Sequence, residues 1–353
     1  MELIEILNKF DKSKIKAGDG RKDGIYPLYT CSPKVNKFLD NYLYDTEAII
    51  LSTGGNPVIN YHKGKFSYSS DCLVVESNGK FENKYIYYYL ISKTNEIAKM
   101  FRGAGLKHLN KKEFFKMNIK LINLEDQKKI IKELDLINKL MNYKRKQEEL
   151  LDDLIKSQFV EMFGNGNYPQ IRLKEVLNQN DNMEKVENTK IEKFVTVGIN
   201  GKGARERIIK DGKWPVPFVG YRVKGGQFIY SRIDARNGAF AIIPNSLNNA
   251  VVSKDFPIFN IDNNKIRTDI LLFSLLEKSF IDKIKNSSFG ATNRQRIKEQ
   301  IFLNYKIYLP PITLQNQFSE IVKQIDKQKF ESMIQLKMME KIYNIINDRR
   351  RYV

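Results

Sequence analysis

The sequence predicts an α+β protein: two mixed α/β domains, each followed by a long helix, with the helices packed as an antiparallel coiled-coil pair about a pseudo-twofold. Three observations carry this. Asn123-Leu124-Glu125-Asp126-Gln127-Lys128-Lys129-Ile130-Ile131 is answered by Thr313-Leu314-Gln315-Asn316-Gln317-Phe318-Ser319-Glu320-Ile321. A repeat at so long a period describes two similar halves rather than a solenoid. Each copy closes a strand-rich stretch and opens a long helical pattern free of Gly and Pro. A shorter pair, Ser69-Ser70-Asp71-Cys72-Leu73-Val74-Val75 and Ser253-Lys254-Asp255-Phe256-Pro257-Ile258-Phe259, extends the duplication beyond the helices.

In chain order, residues 1–122 form the first domain. Turn punctuation at Gly18-Asp19-Gly20, Asp23-Gly24, Thr53-Gly54-Gly55-Asn56-Pro57 and Ser77-Asn78-Gly79 separates short apolar runs, of which Ala48–Leu51 and Cys72–Val75 suit buried strands. Asn83 to Phe101 reads as one helix whose Tyr85, Tyr88, Tyr89, Ile97 and Phe101 pack inward. Residues 123–163 form the first long helix, with Ile130, Leu134, Ile137 and Met141 at helical spacing. Gly164-Asn165-Gly166-Asn167-Tyr168-Pro169 ends it and marks the domain boundary. Residues 164–311 form the second domain, with strands expected at Phe194–Val197, Pro217–Val219, Ala239–Ile243 and Ala250–Val252 and a helix from Thr268 to Ile284. Residues 312–353 form the second long helix, with Val322, Ile325, Leu336 and Met339 near a seven-residue repeat. Each helix is on the order of 50 Å long at 1.5 Å per residue, too long to wrap inside a small domain, so the two pack on each other.

Charge follows the same division. The formal net charge is +19, distributed as +6 over 1–118, 0 over 119–163, +10 over 164–311 and +3 over 312–353. A Lys-, Asn- and Ile-rich composition raises the isoelectric point by itself, but nine of the fifteen arginines fall in 164–311. Arginine is the side chain whose planar fork grips phosphate and guanine edges bidentately. The partner expected is therefore a polyanion. No apolar run is long enough for a membrane span. The acidic, interrupted N-terminus lacks the pattern of a signal peptide, and two cysteines make no disulfide framework, so a cytoplasmic protein is expected.

Catalytic chemistry is poorly supplied. Asn56-Pro57-Val58 is not the Asn-Pro-Pro-aromatic loop of an amino-methyltransferase, and Gly198-Ile199-Asn200-Gly201-Lys202-Gly203 has neither the spacing nor the Ser/Thr of a phosphate-cradling loop. Cys31, Cys72, His62 and His108 make no metal spacing, and no metal site is expected. A binding protein is the expectation; a nuclease or methyltransferase in its own right is the rival. The strongest binding phrase is Ser287-Ser288-Phe289-Gly290-Ala291-Thr292-Asn293-Arg294-Gln295-Arg296, rich in groups that bond base edges and phosphates. Weaker ones are Ser231–Ala239 with Arg232, Arg236 and Asn237, Tyr221-Arg222, Gly203–Arg207, and, in the first half, Arg102-Gly103-Ala104-Gly105-Leu106-Lys107-His108-Leu109.

Taken in order, Ser231–Ala239, Ser253–Phe259, Gly290–Arg296 and Leu309-Pro310-Pro311 resemble the target recognition domain of the specificity subunits of type I restriction–modification systems. Gly24–Tyr29, Gly105 and Leu121–Gln127 are similar in the first half, and Leu154–Phe163 resembles the end of that family's central helix. The first domain departs by being shorter, by lacking the Arg-rich phrase and by reading Leu121-Ile122-Asn123 where the second reads Leu309-Pro310-Pro311. The resemblance implies a non-catalytic reader of a split, asymmetric target in double-stranded DNA, each domain taking one half and the helices setting the unread spacer. It further implies two adenine-methyltransferase (modification) subunits bound along the helices, with restriction subunits also joining. No cofactor is expected in this chain; S-adenosylmethionine, ATP and Mg belong to the partners. A related multisubunit methyltransferase without a restriction subunit fits the same residues.

Overall fold

The computed structural model describes residues 1–164, 168–210, 212–286 and 296–349. The chain is α+β and forms two compact units, Met1–Lys146 with Ser332–Val353, and Gln147–Glu331.

In the first unit a six-stranded sheet runs in the order Leu7–Lys9, Cys72–Ser77, Tyr44–Ser52, Ile59–Tyr68, Tyr26–Tyr29, Phe38–Leu39. Tyr44–Ser52 and Ile59–Tyr68 pair antiparallel from Tyr44 opposite Phe66 to Leu51 opposite Ile59. The two-residue period sends Ile49, Leu51, Leu73 and Val75 to the face covered by Tyr85, Ile86 and Leu90, and Ala48, Ile50 and Val74 to the face packed with Phe66 and Tyr68. Both faces are thus buried, which is why these strands read as unbroken apolar runs.

The expected helix from Asn83 to Phe101 is instead two, Asn83–Ser92 and Thr94–Lys99, followed by a strand at Phe101–Arg102. The Ser92 and Thr94 hydroxyls donate to the Tyr89 and Ile91 carbonyls at 2.7 Å each, competing with the helical ladder at the break. Tyr85, Tyr88 and Tyr89 are buried and pack in the core.

In the second unit a four-stranded sheet (Leu177–Gln179, Ile258–Ile261, Phe228–Tyr230, Phe240–Ile242) lies with a three-stranded sheet (Met183–Val186, Phe218–Arg222, Val251–Ser253) and a hairpin of Val195–Val197 with Ala204–Glu206. Its core is aromatic: Phe228, Tyr230, Phe240, Phe259 and Phe302 are all buried, with Tyr230 and Phe302 stacked at 4.4 Å. The helix expected over 268–284 is broken at Glu277, whose extended backbone (ψ 139°) separates Thr268–Leu276 from Lys278–Asn286.

The long helices, Leu124–Phe163 and Ile312–Arg349, each contribute to both units. The first is opened by Asn123, whose side chain accepts from the Asp126 amide at 2.9 Å, and by Glu125 and Asp126 in its first turn, where acids favour the helix dipole. Pro310 and Pro311 precede the second. Within the first unit, Leu134 meets Ile346 and Tyr88 with Ile130, Ile137 and Tyr343 around them, and Arg145 pairs with Glu340 at 3.6 Å. Within the second, Phe159 and Phe163 pack edge-on against Phe318 at 5.5 and 5.6 Å, and Lys329 pairs with Asp152 at 2.6 Å. In both units the contacts advance along one helix as they retreat along the other, so the pairing is antiparallel. Of the expected packing residues, Leu134, Met141 and Ile325 are buried, while Ile130, Ile137, Val322, Leu336 and Met339 are half-buried.

The repeated phrase needs one change of register. Gln127 and Gln315, both fully buried, share two bonds, and the Gln315 Nε2 donates besides to the Lys265 carbonyl at 3.0 Å. The Gln127 Oε1 accepts from the Glu82 amide at 2.8 Å and its Nε2 donates to the Ile122 carbonyl at 3.0 Å. The Gln315 Oε1 accepts from the Arg267 amide at 2.9 Å and its Nε2 donates to the Pro310 carbonyl at 2.8 Å. The partner of Gln127 in the repeat is therefore Gln315, not Gln317. Ile122 and Pro310 then correspond, as the Leu-Ile-Asn and Leu-Pro-Pro phrases already imply.

Candidate nucleic-acid interface

The phrases singled out in each half meet in space through the same main-chain bonds. In the second unit the Arg232 amide donates to the Asp255 carbonyl at 2.9 Å, and the Arg232 carbonyl accepts from the Ile297 amide at 3.1 Å. In the first, the Thr53 amide donates to the Asp71 carbonyl at 2.8 Å, and the Thr53 carbonyl accepts from the Leu109 amide at 3.0 Å. The turn at Thr53–Pro57, the strand start at Asp71 and the loop before Leu109 thus form one assembly, and Ser231–Ala239, Asp255 and Ile297 form its counterpart. The Gly55 amide also donates to the Lys107 carbonyl at 2.9 Å. Gly103 has φ 145°, and a Cβ there would lie 2.7 Å from the Leu106 carbonyl oxygen, so the loop that presents Lys107 depends on glycine.

The individual side chains divide. Lys107 and His108 are exposed. Arg102 is exposed but pairs with Glu113 at 2.7 Å. Asn237 is exposed at the end of the 3-10 turn Ala235–Asn237, with its carbonyl accepting from the Asn200 amide at 2.8 Å. Arg236, on the same turn, lines an open recess of about 790 Å³ with Lys156, Lys278, Lys285, Asn200 and Leu276. Glu277 lies on the same recess, with its carboxyl pKa raised by burial. Four cationic side chains around one recess concentrate positive charge where an anionic phosphate is attracted. Thr292, Asn293, Arg294 and Gln295 lie outside the described residues.

Besides Arg102, three further arginines expected to meet DNA are engaged by carboxylates of the same unit. Arg222 donates through Nε to Glu184 at 2.8 Å, through Nη2 to Glu192 at 2.9 Å, and through Nη1 to the Asn249 carbonyl. The hydrogen bonds from Glu192 and Glu184 raise the guanidinium pKa, and Arg222 in turn lowers that of Glu192. Arg232 pairs with Glu299, Nε to Oε1 at 2.8 Å, and Arg296 pairs with Asp255 at 3.2 Å. Arg222 and Arg232, with about two-thirds and three-quarters of the side chain covered, are held to the fold by these acids. Arg296 is 54% exposed. The acids that claim these arginines lie 30, 67 and 41 residues away in sequence, for Glu192, Glu299 and Asp255 respectively. Of these only Asp255 carries a sequence signal, its place in the repeated Ser253–Phe259 phrase.

The sequence matches the family described as type I restriction modification DNA specificity domain over residues 1–151 and again over 154–338. The chain belongs to this family. Among other type I specificity chains, the EcoDI specificity subunit of Escherichia coli is 25% identical over 156 residues, 44% of this chain and 34% of that subunit. The match therefore spans about a third of its length. The MjaVIII specificity subunit of Methanocaldococcus jannaschii is 23% identical over 369 residues, covering 92% of this chain and 83% of that one. The crystal structure of the S subunit from M. genitalium superposes with a TM-score of 0.62 at 14% identity, covering 99% of this chain and 95% of that chain. A chain from a structure of the type I system concerned with complex assembly gives 0.55 at 14% identity, covering 99% and 96%. At such identities these likenesses are of fold.

Proposed function

We propose that this chain is the non-catalytic DNA-specificity subunit of a cytoplasmic type I restriction–modification complex. Residues 1–122 and 164–311 act as two recognition domains, each reading one half of an asymmetric split target, and the helices 123–163 and 312–353 govern the unread spacer. The observation that carries this reading is the main-chain frame built twice, at Thr53, Asp71 and Leu109 and at Arg232, Asp255 and Ile297. The two frames are flanked by segments of different sequence, which is what two readers of different half-sites require. Lys107 in one domain and Arg236 in the other each contact the half of the target that their own domain reads.

The long helices keep apolar side chains exposed beyond those used in pairing: Leu136, Leu140 and Tyr143 in the first unit, Leu150, Leu154 and Val160 in the second, and Phe330, Met338 and Ile342 on the C-terminal helix. These stripes support docking of two modification subunits, which bring S-adenosylmethionine and methylate an adenine; restriction subunits bring ATP and Mg. The deciding experiment is a genome-wide map of methylated adenine with and without this chain. One bipartite, asymmetric motif is expected to lose methylation when the chain is removed; an unchanged map overturns the reading.

A further inference from the structure

In the second unit, one set of arginines and lysines sits beside exposed apolar side chains. The described residues of segment 187–217 are fixed in place by the Thr189 hydroxyl donating to the Pro215 carbonyl at 2.7 Å, by the Arg207 amide donating to the Phe194 carbonyl at 2.7 Å, and by Val195–Val197 pairing with Ala204–Glu206. Val195 and Val197 point into a buried cluster with Tyr221 and Val252. Arg205 stands opposite Thr196, on the other face of the hairpin, and the two-residue period carries Arg207 to that same outer face. Lys210 and Lys213 follow, joined by the Lys213 amide donating to the Lys210 carbonyl. Among the described residues no carboxylate pairs with any of these four. Between and beside them Ile208 is 81% exposed, Val216 78% and Trp214 39%. Protein interfaces are enriched in arginine and aromatics but depleted in lysine, so it is Lys210 and Lys213 that weigh against a protein partner here. Together with the exposed apolar groups beside them, the four cations suit a polyanion whose bases or sugars offer apolar surface.

We propose that segment 187–217 is a DNA-contacting flap of the second recognition domain, in which Arg205, Arg207, Lys210 and Lys213 take backbone phosphates while Ile208 and Trp214 lie against the groove edge. This rests on the reading of the chain as a DNA-specificity subunit and names a contact surface within it. Trp214 is the only tryptophan, so its emission reports the flap alone.

The test titrates the full chain with a labelled random-sequence duplex, following anisotropy of the label, emission of Trp214 and its quenching by acrylamide. Binding is expected to change Trp214 emission and shield it from acrylamide. The double variant Arg205→Ala with Arg207→Ala, its folding checked by thermal melt, is expected to lower the slope of log affinity against log salt by about 2, at roughly 0.9 per lost phosphate contact. Arg205→Lys with Arg207→Lys is expected to retain the slope. Anisotropy showing binding with Trp214 emission and salt slope unaltered overturns the flap while leaving the specificity reading intact. Shielding of Trp214 by modification subunits instead of DNA overturns it in favour of protein docking. No duplex binding by the wild-type chain at all brings down the proposed function itself.

Discussion

At Arg222 one guanidinium spans Glu184, Glu192 and the Asn249 carbonyl, joining the strand that bears it to two separate segments. Removing it leaves two carboxylates facing each other. Since the group is about one-third exposed, the loss is expected to be modest: Arg222→Ala destabilises by roughly 1–3 kcal/mol, nearer the low end because solvent screens the pair. Denaturant melts are expected to show the lower midpoint, while the salt dependence of duplex binding stays at the wild-type slope; a reduced slope would return Arg222 to the interface. His62 offers a second residue-scale case. Its Nδ1 lies 2.9 Å from the Tyr29 hydroxyl, and burial lowers its pKa from the ordinary 6.5. Because the folded state resists the proton that the unfolded chain takes up near 6.5, His62 favours folding above that pH and its contribution is lost as pH falls below it. Melting temperature is therefore expected to drop between about pH 7 and about pH 5, and to drop less in His62→Gln.

The elements were legible in the sequence where their cause was local. Long runs free of Gly and Pro with apolar residues at helical spacing gave both long helices, and apolar runs between turn residues gave the buried strands. The breaks near Lys93 and Glu277 were not legible, because hydroxyl back-bonding at Ser92 and Thr94 and the extended backbone of Glu277 leave the apolar periodicity intact. The roles of Arg222, Arg232 and Arg296 were hidden for another reason: an arginine reads the same whether its acceptor is a phosphate or a glutamate tens of residues away. At this scale Gln127→Leu and Gln315→Leu are each expected to cost about 1–3 kcal/mol, since each strands a buried amide and a buried carbonyl. The larger loss is expected for Gln315→Leu, which also strands the Lys265 carbonyl; a loss only in Gln127→Leu would contradict the shared latch. Leu134→Glu and Ile325→Glu place a charge in the buried seam of each unit and are expected to loosen the helix pair, reducing recovery of modification subunits on affinity capture of this chain. Unchanged recovery would count against a docking role for the helices.

Across the whole molecule, two units with one main-chain frame and unlike loops give a selective pattern of failure. Lys107→Ala is expected to weaken binding through one half of the target and Arg236→Ala through the other. Competition with duplexes altered in a single half-site measures this, and uniform loss over both halves would contradict a division of labour. The glutamine latches carry a consequence for descent as well. Each grips only main-chain atoms, the Glu82 amide and Ile122 carbonyl in one unit and the Arg267 amide and the Pro310 and Lys265 carbonyls in the other. A socket that recognises no side chain accepts foreign lobes. Recombination that delivers a domain with different loops onto either helix would find its anchor already cut to fit.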